Sequence, residues 1–151
     1  MKDIEARYKE IVHEIKSYGF GMLNDMLDPE FIDCNPDNNS CRVRYKKYSW
    51  EDNGRGEVHG GVVSAMLDTS MGLAAIANSD GSVSTSDMTV SFIRPFRGKS
   101  FIVEAAAVHM GRRVIRCEAK AYDEETGKVL AASTGNFMYV EYEDHPGQLG
   151  V

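Results

Sequence analysis

The sequence lacks several of the patterns by which large classes of protein are recognised. Only three of the 151 residues are cysteines, with no Cys-x-x-Cys pair, so neither a disulfide framework nor a four-ligand zinc site is indicated. We therefore expect Cys34, Cys41 and Cys117 to be free thiols. No run of about 18 apolar residues is apparent, and the N-terminal MKDIEARYKEI lacks the apolar core of a signal peptide, so we expect no membrane partner and a cytoplasmic location.

Basic segments and the common catalytic motifs are missing as well. The formal net charge is −6 and no basic arm is present, which argues against nucleic acid as a partner. There is no Gly-x-Ser-x-Gly, no P-loop and no Gly-x-Gly-x-x-Gly after a strand. The sequence therefore gives no motif evidence for a serine hydrolase, a nucleotide hydrolase or a dinucleotide oxidoreductase. Three histidines, His13, His109 and His145, have no companions at ligand spacing, so we expect neither a metal nor a cofactor.

The overall composition predicts one soluble globular domain that spans residues 1–151. Hydrophobic residues make up 42% and charged residues 26%, enough to bury one sizeable core. Apolar residues at helical spacing predict an amphipathic N-terminal helix over about residues 2–18. The last residues, about 142–151, are expected to be frayed.

Most of the chain shows the period of β-strands. FIDCNPDNNSCRVRYKKY predicts two short strands around a turn, and FIVEAAAVH, the alternation from Ile115 to Ala121, and VLAASTGNFMYVEY predict three more. A further strand is predicted where Met88, Val90 and Phe92 alternate with polar residues. The sheet should be largely antiparallel, because short turns such as DEETGK connect its strands.

One segment, HGGVVSAMLDTSMGLAAIA from His59 to Ala77, predicts a helix that is apolar on nearly every side. Such a helix must be covered on every side. The sequence therefore predicts an α+β fold in which an antiparallel sheet wraps one long central helix.

The start of this helix and its one carboxylate are the candidate functional features. The first amides of a helix lack partners, and with Gly60 and Gly61 there they could polarise a carbonyl, although a plain glycine-rich helix start is equally compatible. Asp68 is either a reactive carboxylate or one that bonds a neighbouring strand. Asp68 lies about 13.5 Å along the helix axis from His59, too far for the two to contact the same atom. The helix start and Asp68 could serve one substrate only if they came from two copies of the helix, as in a two-fold dimer.

Together these residues resemble the hotdog-fold acyl-CoA thioesterases, most closely the phenylacetate-pathway and thioesterase-superfamily-member branch. The resemblance covers roughly Trp50 to Tyr139 and rests on Asn53, His59-Gly60-Gly61, Asp68, Thr85-Ser86-Asp87-Met88 and Phe92-Ile93-Arg94-Pro95. It implies a homodimer with shared active sites, commonly a dimer of dimers. The substrate would be an acyl-CoA, with coenzyme A part of the substrate rather than a cofactor.

The resemblance also implies a role for each residue. The Gly60 amide, with Gly61 beside it, would polarise the thioester carbonyl, while Asp68 acts as nucleophile or general base. Asn53 would position water or the thioester, and His59 would order the loop or lie near the sulfur. The third polar group is placed at Thr85, although the strand alternation would turn Ser86 toward the helix instead.

Coenzyme A is anionic, so a chain of net negative charge needs a local cationic patch to bind it. Arg94 and the pair Arg112-Arg113 are the candidates, and solvated turn charges are the alternative for each. Two other functions stay open: a non-catalytic acyl-CoA-binding or sensor protein, and a hotdog dehydratase.

Overall fold

A computed structural model of the chain describes residues 3–17 and 22–140. Its helices are α1 (Ile4–Ser17), α2 (Leu23–Leu27) and α3 (Gly60–Ala77), and its strands are β1 (Glu30–Asn35), β2 (Ser40–Lys46), β3 (Ser82–Phe92), β4 (Ser100–Met110), β5 (Val114–Asp123) and β6 (Val129–Val140). A single 3-10 turn, Ser49–Glu51, precedes the loop that leads into α3.

The strands of the described residues form one six-stranded sheet in the order β1-β2-β4-β5-β6-β3, with every neighbouring pair antiparallel. Strand β3 therefore leaves the chain order and lies at an edge, where β6 is its one strand partner among the described residues. The opposite edge is β1. This position of β3 matters for the site, because the open edge runs alongside the central helix.

Helix α3 is the centre of the core, as the sequence predicted. Alternate residues of β4, namely Phe101, Val103, Ala105 and Ala107, are buried on the face of the sheet that packs on α3. The two alanines among them leave room for the helix to pack closely on the sheet. The prediction of a sheet wrapped around one long helix is confirmed.

Helix α1 packs on α3 and β1 rather than standing apart. Its Tyr8 is fully buried and its ring lies 5.5 Å from that of Phe31 on β1. The observed bounds, Ile4–Ser17, agree with the predicted helix over about residues 2–18. The predicted frayed tail at about 142–151 lies outside the described residues.

The expectation that no stretch matches a membrane span needs correction. The 18 residues of α3 have a mean hydropathy of 1.4, which meets the requirement of length and composition. Asp68, Thr69 and Ser70 interrupt the apolar run, which is why the pattern is not evident by eye. Half of the helix is buried, as is common for the core helix of a soluble protein, so the match is weak evidence for membrane insertion.

The expectation of three free thiols was wrong for two of them. Antiparallel pairing of β1 with β2 places Cys34 directly opposite Cys41, with 4.1 Å between their Cα atoms, and the two form a disulfide. Register decides this pairing, and spacing along the sequence does not reveal register. Cys117 is free and buried, and burial raises the pKa of its thiol to about 12.

Candidate active site

His59 begins helix α3 and fixes the geometry of its first turn. Its imidazole Nδ1 accepts a hydrogen bond of 2.9 Å from the Gly61 amide, and its carbonyl accepts the amides of Val62 and Val63. The His59 amide donates to the Glu51 carbonyl at 2.7 Å. The imidazole therefore satisfies one of the orphan amides at the helix start.

The Gly60 amide differs from its neighbours. It has no acceptor among the described residues, whereas the Gly61 amide is already used by His59. Gly60 lies against the edge strand, since a Cβ built there would be 3.5 Å from the ring of Phe92. At the N-terminus of an 18-residue helix, this amide is oriented to donate to an incoming oxygen.

A cleft of about 390 Å³ opens beside Gly60. Asn53 and Arg94 both line it, so the structure brings these two predicted residues to the helix start. Arg94 donates to the Val129 carbonyl at 2.7 Å, which holds its guanidinium against β6. Phe92 and Phe96 supply apolar surface to the same cleft.

Asn53 is engaged with its own loop in this arrangement. Its Oδ1 accepts from the Arg55 amide at 2.9 Å, and its Nδ2 lies 3.4 Å from Glu57, at the long end of hydrogen bonding. Glu57 also accepts from Arg97 at 2.6 Å, and that bond is the main cause of its lowered pKa. Contact with a substrate would require the Asn53 amide to turn away from Glu57.

Asp68 lies near the middle of α3 and is only partly buried. Its Oδ1 accepts a hydrogen bond of 2.6 Å from the hydroxyl of Thr85 on β3. Its Oδ2 has no hydrogen-bond partner in the part of the chain that the structure describes. The carboxylate is thus held by one oxygen and open at the other.

A β-bulge decides which residue of β3 faces Asp68. The register of β3 with β6 shifts between Thr85 and Asp87, so Ser86 is the extra residue. Met88 and Val90 keep their inward orientation beyond the bulge, and Thr85 also faces the helix. Simple alternation back from Met88 would turn Ser86 toward the helix. That expectation is wrong here because alternation assumes a strand without a bulge.

The predicted site residues therefore form two groups on one helix. Asn53, His59, Gly60, Gly61 and Arg94 lie at its start, and Asp68 with Thr85 lies eight residues further, a rise of about 12 Å. The two groups within one chain do not meet at a single atom. Their catalytic roles stay predictions.

Arg112 and Arg113 lie elsewhere, in the turn between β4 and β5. Both are exposed and border a surface depression of about 550 Å³ that His109, Arg116 and Asn136 also line. Arg116 donates to the side-chain oxygen of Asn136 at 3.3 Å, and Asn136 donates to Asp87. Sequence reasoning missed Arg116, because strand alternation gives no reason to join it to the turn.

Glu51 was also missed, and it is the least expected side chain near the site. It is fully buried, although it occurs in a polar, glycine-rich segment that reads as an exposed loop. Its Oε2 accepts from the Tyr48 amide, while Oε1 is buried without a partner among the described residues. Burial raises the pKa of this carboxyl, while the hydrogen bond from the Tyr48 amide and then the nearby charge of Lys47 oppose the rise.

Solved structures with the same architecture come from bacteria and a vertebrate. The Escherichia coli PaaI protein from the phenylacetic acid degradation operon has a TM-score of 0.77 at 18% identity, covering 92% of this chain and 97% of that one. Zebrafish thioesterase superfamily member 2 has a TM-score of 0.76 at 17% identity, covering 87% and 95%. A Streptococcus mutans protein solved bound to acetyl CoA has a TM-score of 0.67 at 15% identity, covering 74% and 88%. These likenesses confirm the hotdog fold.

Sequence comparison gives the family. A Halobacterium salinarum protein provisionally named an esterase is 38% identical over an alignment of 65 positions, which covers 40% of this chain and 42% of that protein. The chain thus spans under half the length of this relative. The family model described as the thioesterase superfamily matches residues 55–130, just over half of the chain, and includes Gly60, Asp68 and Thr85. The chain belongs to the thioesterase superfamily.

Proposed function

We propose that this protein hydrolyses acyl-CoA thioesters in active sites shared between the two subunits of a homodimer. Family membership supplies thioester hydrolysis as the reaction class. The observation that carries the proposal is the pairing of an unused amide at Gly60 with a half-open carboxylate at Asp68 on the same helix. One group can bind a carbonyl oxygen and the other can attack or activate water.

The dimer follows from the separation of these groups. About 12 Å of helix lies between them, whereas a carbonyl and its attacking group must be within about 3.5 Å of each other. The edge of β3 offers the means of assembly, since it has no strand partner on its outer side within the described chain. Gly60 lies beside Phe92, the last residue of β3, and Asp68 lies beside Thr85, seven residues earlier on the same strand.

Antiparallel pairing of the β3 strands of two subunits would therefore bring the Asp68 side of one subunit next to the Gly60 side of the other. With the two-fold axis near Met88 and Thr89, the Thr85 end of one subunit lies opposite the Phe92 end of the other. The two α3 helices then run in opposite directions. Asp68 of one protomer and the Gly60 amide of its partner would meet on either side of one substrate.

The chemistry assigns a task to each group. The Gly60 amide stabilises the negative charge that develops on the thioester oxygen. Asp68 either adds to the carbonyl carbon, giving an anhydride that water then cleaves, or removes a proton from the attacking water. In both routes the carbon–sulfur bond breaks, the thiolate leaves and takes up a proton, and the carboxylic acid is released. The Thr85 hydroxyl holds Oδ1 and leaves Oδ2 for the reaction.

The depression bordered by Arg112 and Arg113 is the proposed contact for the coenzyme A phosphates. The depression lies on the opposite face of the sheet from Asp68. It is nevertheless close to Thr85 along the sheet, because Arg116 of β5 pairs with Asn136 of β6. Asn136 in turn pairs with Asp87 of β3, which is two residues from Thr85. Arg112 and Arg113 of the turn, together with Arg116 of β5, offset the net negative charge of the chain locally. Arg94 is a weaker candidate, since its guanidinium already bonds a backbone carbonyl.

The test is thiol release from acyl-CoAs by the wild type and two variants. Asp68→Asn should lower kcat by about 1000-fold or more, since it removes the reactive carboxylate. Gly60→Pro should lower it by about 100-fold, because proline replaces the amide proton with its ring, which removes the donor, and is well tolerated at the first helical position. Gly60→Ala, which keeps the amide and meets ordinary contacts at Phe92, is the matched control.

Three results would overturn the proposal. Wild type that binds an acyl-CoA tightly without releasing thiol would indicate the binding or sensor function instead. Hydration of an enoyl-CoA without hydrolysis would indicate the dehydratase. Full activity in a folded Asp68→Asn variant would remove Asp68 from the mechanism.

A further inference from the structure

Two hydroxyl groups are buried behind the turn of α3 that carries Asp68. The Tyr45 hydroxyl of β2 and the Ser70 hydroxyl of α3 lie 2.9 Å apart and share a hydrogen bond. Both side chains are fully buried. Replacing both members of such a pair with apolar groups of the same shape can be nearly neutral for stability, so stability alone does not account for the pair.

Both hydroxyls converge on one backbone carbonyl. The Met66 carbonyl accepts from the Ser70 hydroxyl at 2.8 Å and from the Tyr45 hydroxyl at 3.3 Å. In an α-helix this carbonyl also accepts the amide four residues further on, which is that of Ser70. A serine that bonds back in this way often bends the helix locally. The pair therefore ties the turn from Met66 to Ser70 to strand β2.

Asp68 lies on the opposite side of this turn. It is two residues from both Met66 and Ser70, which at 100° per residue directs its side chain about 200° away from theirs. Burial agrees, since Met66 and Ser70 are fully buried whereas Asp68 is partly buried. Tyr45 thus contacts the back of the turn, while Thr85 bonds the carboxylate at the front.

The rotation of α3 about its own axis decides where this carboxylate lies. The Asp68 oxygens are about 6 Å from the axis, so a rotation of about 10° moves them about 1 Å. A displacement of that size can lower a reaction rate about 100-fold. The hydrophobic effect is non-directional, whereas hydrogen bonds are directional. Asn24 of α2 supplies one such bond, to the partly buried Thr69 at 2.8 Å, and the Tyr45–Ser70 pair supplies the constraint inside the core.

The Tyr45 phenol is suited to hold a group rather than to transfer a proton. Burial raises its pKa, the Ser70 hydrogen bond opposes the rise, and the charge of Asp68 adds to it. Since the ordinary pKa of tyrosine is already about 10, the phenol stays neutral at physiological pH.

We propose that Tyr45 and Ser70 are positioning residues that fix the rotation of α3 and so direct Asp68 toward the substrate. The inference rests on the proposed function, because it takes Asp68 to be the reactive carboxylate. Both side chains are fully buried and do not contact the substrate. Their effect on the reaction is exerted through the backbone from Met66 to Ser70.

The kinetic test compares Tyr45→Phe, Ser70→Ala and the double variant with wild type in thiol release. Each single substitution leaves the other hydroxyl bonded to the Met66 carbonyl, so these variants should fold. The value of kcat should fall about tenfold in each single variant and further in the double variant, while KM changes less than about twofold. That split is expected when a reactive group is misplaced in an intact binding site.

Two other buried hydroxyls provide matched controls. Tyr8 and Ser133 are buried, and neither hydroxyl has a hydrogen-bond partner in the part of the chain that the structure describes. Tyr8→Phe and Ser133→Ala therefore make the same chemical changes elsewhere in the core. Both should keep the wild-type kcat, and their Tm should not fall, since each removes an unsatisfied polar group.

Crystal structures of wild type and the double variant separate this inference from the proposed function. The bond from Thr85 to Asp68, 2.6 Å long, should lengthen beyond about 3.5 Å in the variant as α3 rotates. If it does so although wild type hydrolyses no thioester, the proposed function fails and the control of Asp68 by Tyr45 and Ser70 stands.

Three results would overturn the positioning role. One is a wild-type kcat in the folded Tyr45→Phe and Ser70→Ala variants. Another is an equally large loss of kcat in the two control variants, which would show a general effect of changes in the core. The third is a Thr85–Asp68 bond of unchanged length in the double variant.

Discussion

The hydroxyl of Thr85 is the one side-chain partner of Asp68 in the described chain, and it bonds only one oxygen. That asymmetry keeps the carboxylate from rotating freely while leaving Oδ2 exposed to a substrate. Hydrogen bonds to charged groups contribute about 1.5–3 kcal/mol, roughly ten- to a hundredfold in an equilibrium. In the proposed mechanism, Thr85 therefore acts by positioning Asp68.

Replacing Thr85 tests this role. Thr85→Val keeps the shape and removes the donor, so kcat should fall about tenfold or more with KM little changed. Thr85→Ser should restore most of the rate, because it restores the hydroxyl. Ser86→Ala, at the exposed bulge residue beside it, is the control for general disturbance of β3. Equal kcat in Thr85→Val and wild type would exclude the hydrogen bond from the mechanism.

Glu51 supplies a second prediction, about stability and pH. Burial raises the pKa of its carboxyl, so the folded state binds the proton more tightly than the unfolded state does. The stabilisation is complete below the ordinary pKa of glutamate, about 4.3, and is lost as the pH rises through the raised value. At pH 7, above the ordinary pKa, the raised pKa of Glu51 therefore lowers the stability of the folded state relative to acidic pH.

Glu51→Gln should remove this penalty and still accept the Tyr48 amide. Its Tm should exceed that of wild type at pH 7, and the two should converge as the pH falls toward about 4. Differential scanning calorimetry across that range measures the difference. A Tm difference independent of pH would show that Glu51 is not the group that titrates.

Among the elements, those with a regular period could be predicted from the sequence. Helix α3, the hairpin of β1 and β2 and the last three strands follow directly from apolar periodicity and turn residues. Features that depend on tertiary register could not. The shift at Ser86, the contact of Asn24 with Thr69 and the opposition of Cys34 and Cys41 all arise from which strand or helix lies beside which.

The Cys34–Cys41 disulfide crosslinks the edge hairpin, whose turn also contacts the end of α3 through Asn39 and Asn78. The sequence separation is seven residues, so the chain-entropy model gives a stabilisation of about 2.5 kcal/mol. Cys34→Ser with Cys41→Ser should therefore lower Tm by roughly 5–10 °C. A cytoplasmic location stays a prediction, and reducing conditions there would favour the thiol form.

Dithiothreitol provides the control for that measurement. It should lower the Tm of wild type by about the same amount as the double substitution and leave the double variant unaffected. An unchanged Tm in both experiments would mean that the hairpin contacts, rather than the crosslink, hold β1 in the sheet. Because β1 lies at the edge away from β3, thioester hydrolysis should survive either treatment at 25 °C.

At the scale of the molecule, the central question is whether one chain contains a complete site. Two sets of predicted residues lie about 12 Å apart on α3, and no side chain of the described residues joins them. In the proposed dimer, a second copy pairs with β3, which is an edge of the sheet among the described residues, and so completes the site. Under this proposal the quaternary structure is part of the active site.

Mixed dimers of two inactive variants test the shared site. Asp68→Asn contributes a sound Gly60 amide and Gly60→Pro contributes a sound carboxylate, so each mixed dimer should contain one intact site and one doubly defective site. Random exchange makes half of the dimers mixed, and the specific activity should recover to about a quarter of the wild-type value. The measurement is thiol release after equal amounts of the two variants are unfolded together and refolded.

The control is Asp68→Asn mixed with a chain that carries both substitutions. No dimer in that mixture has an intact site, so it should stay inactive. If folded mixed dimers recover no more activity than this control, Asp68 of one subunit and the Gly60 amide of its partner do not act on the same thioester, and the shared-site model is wrong.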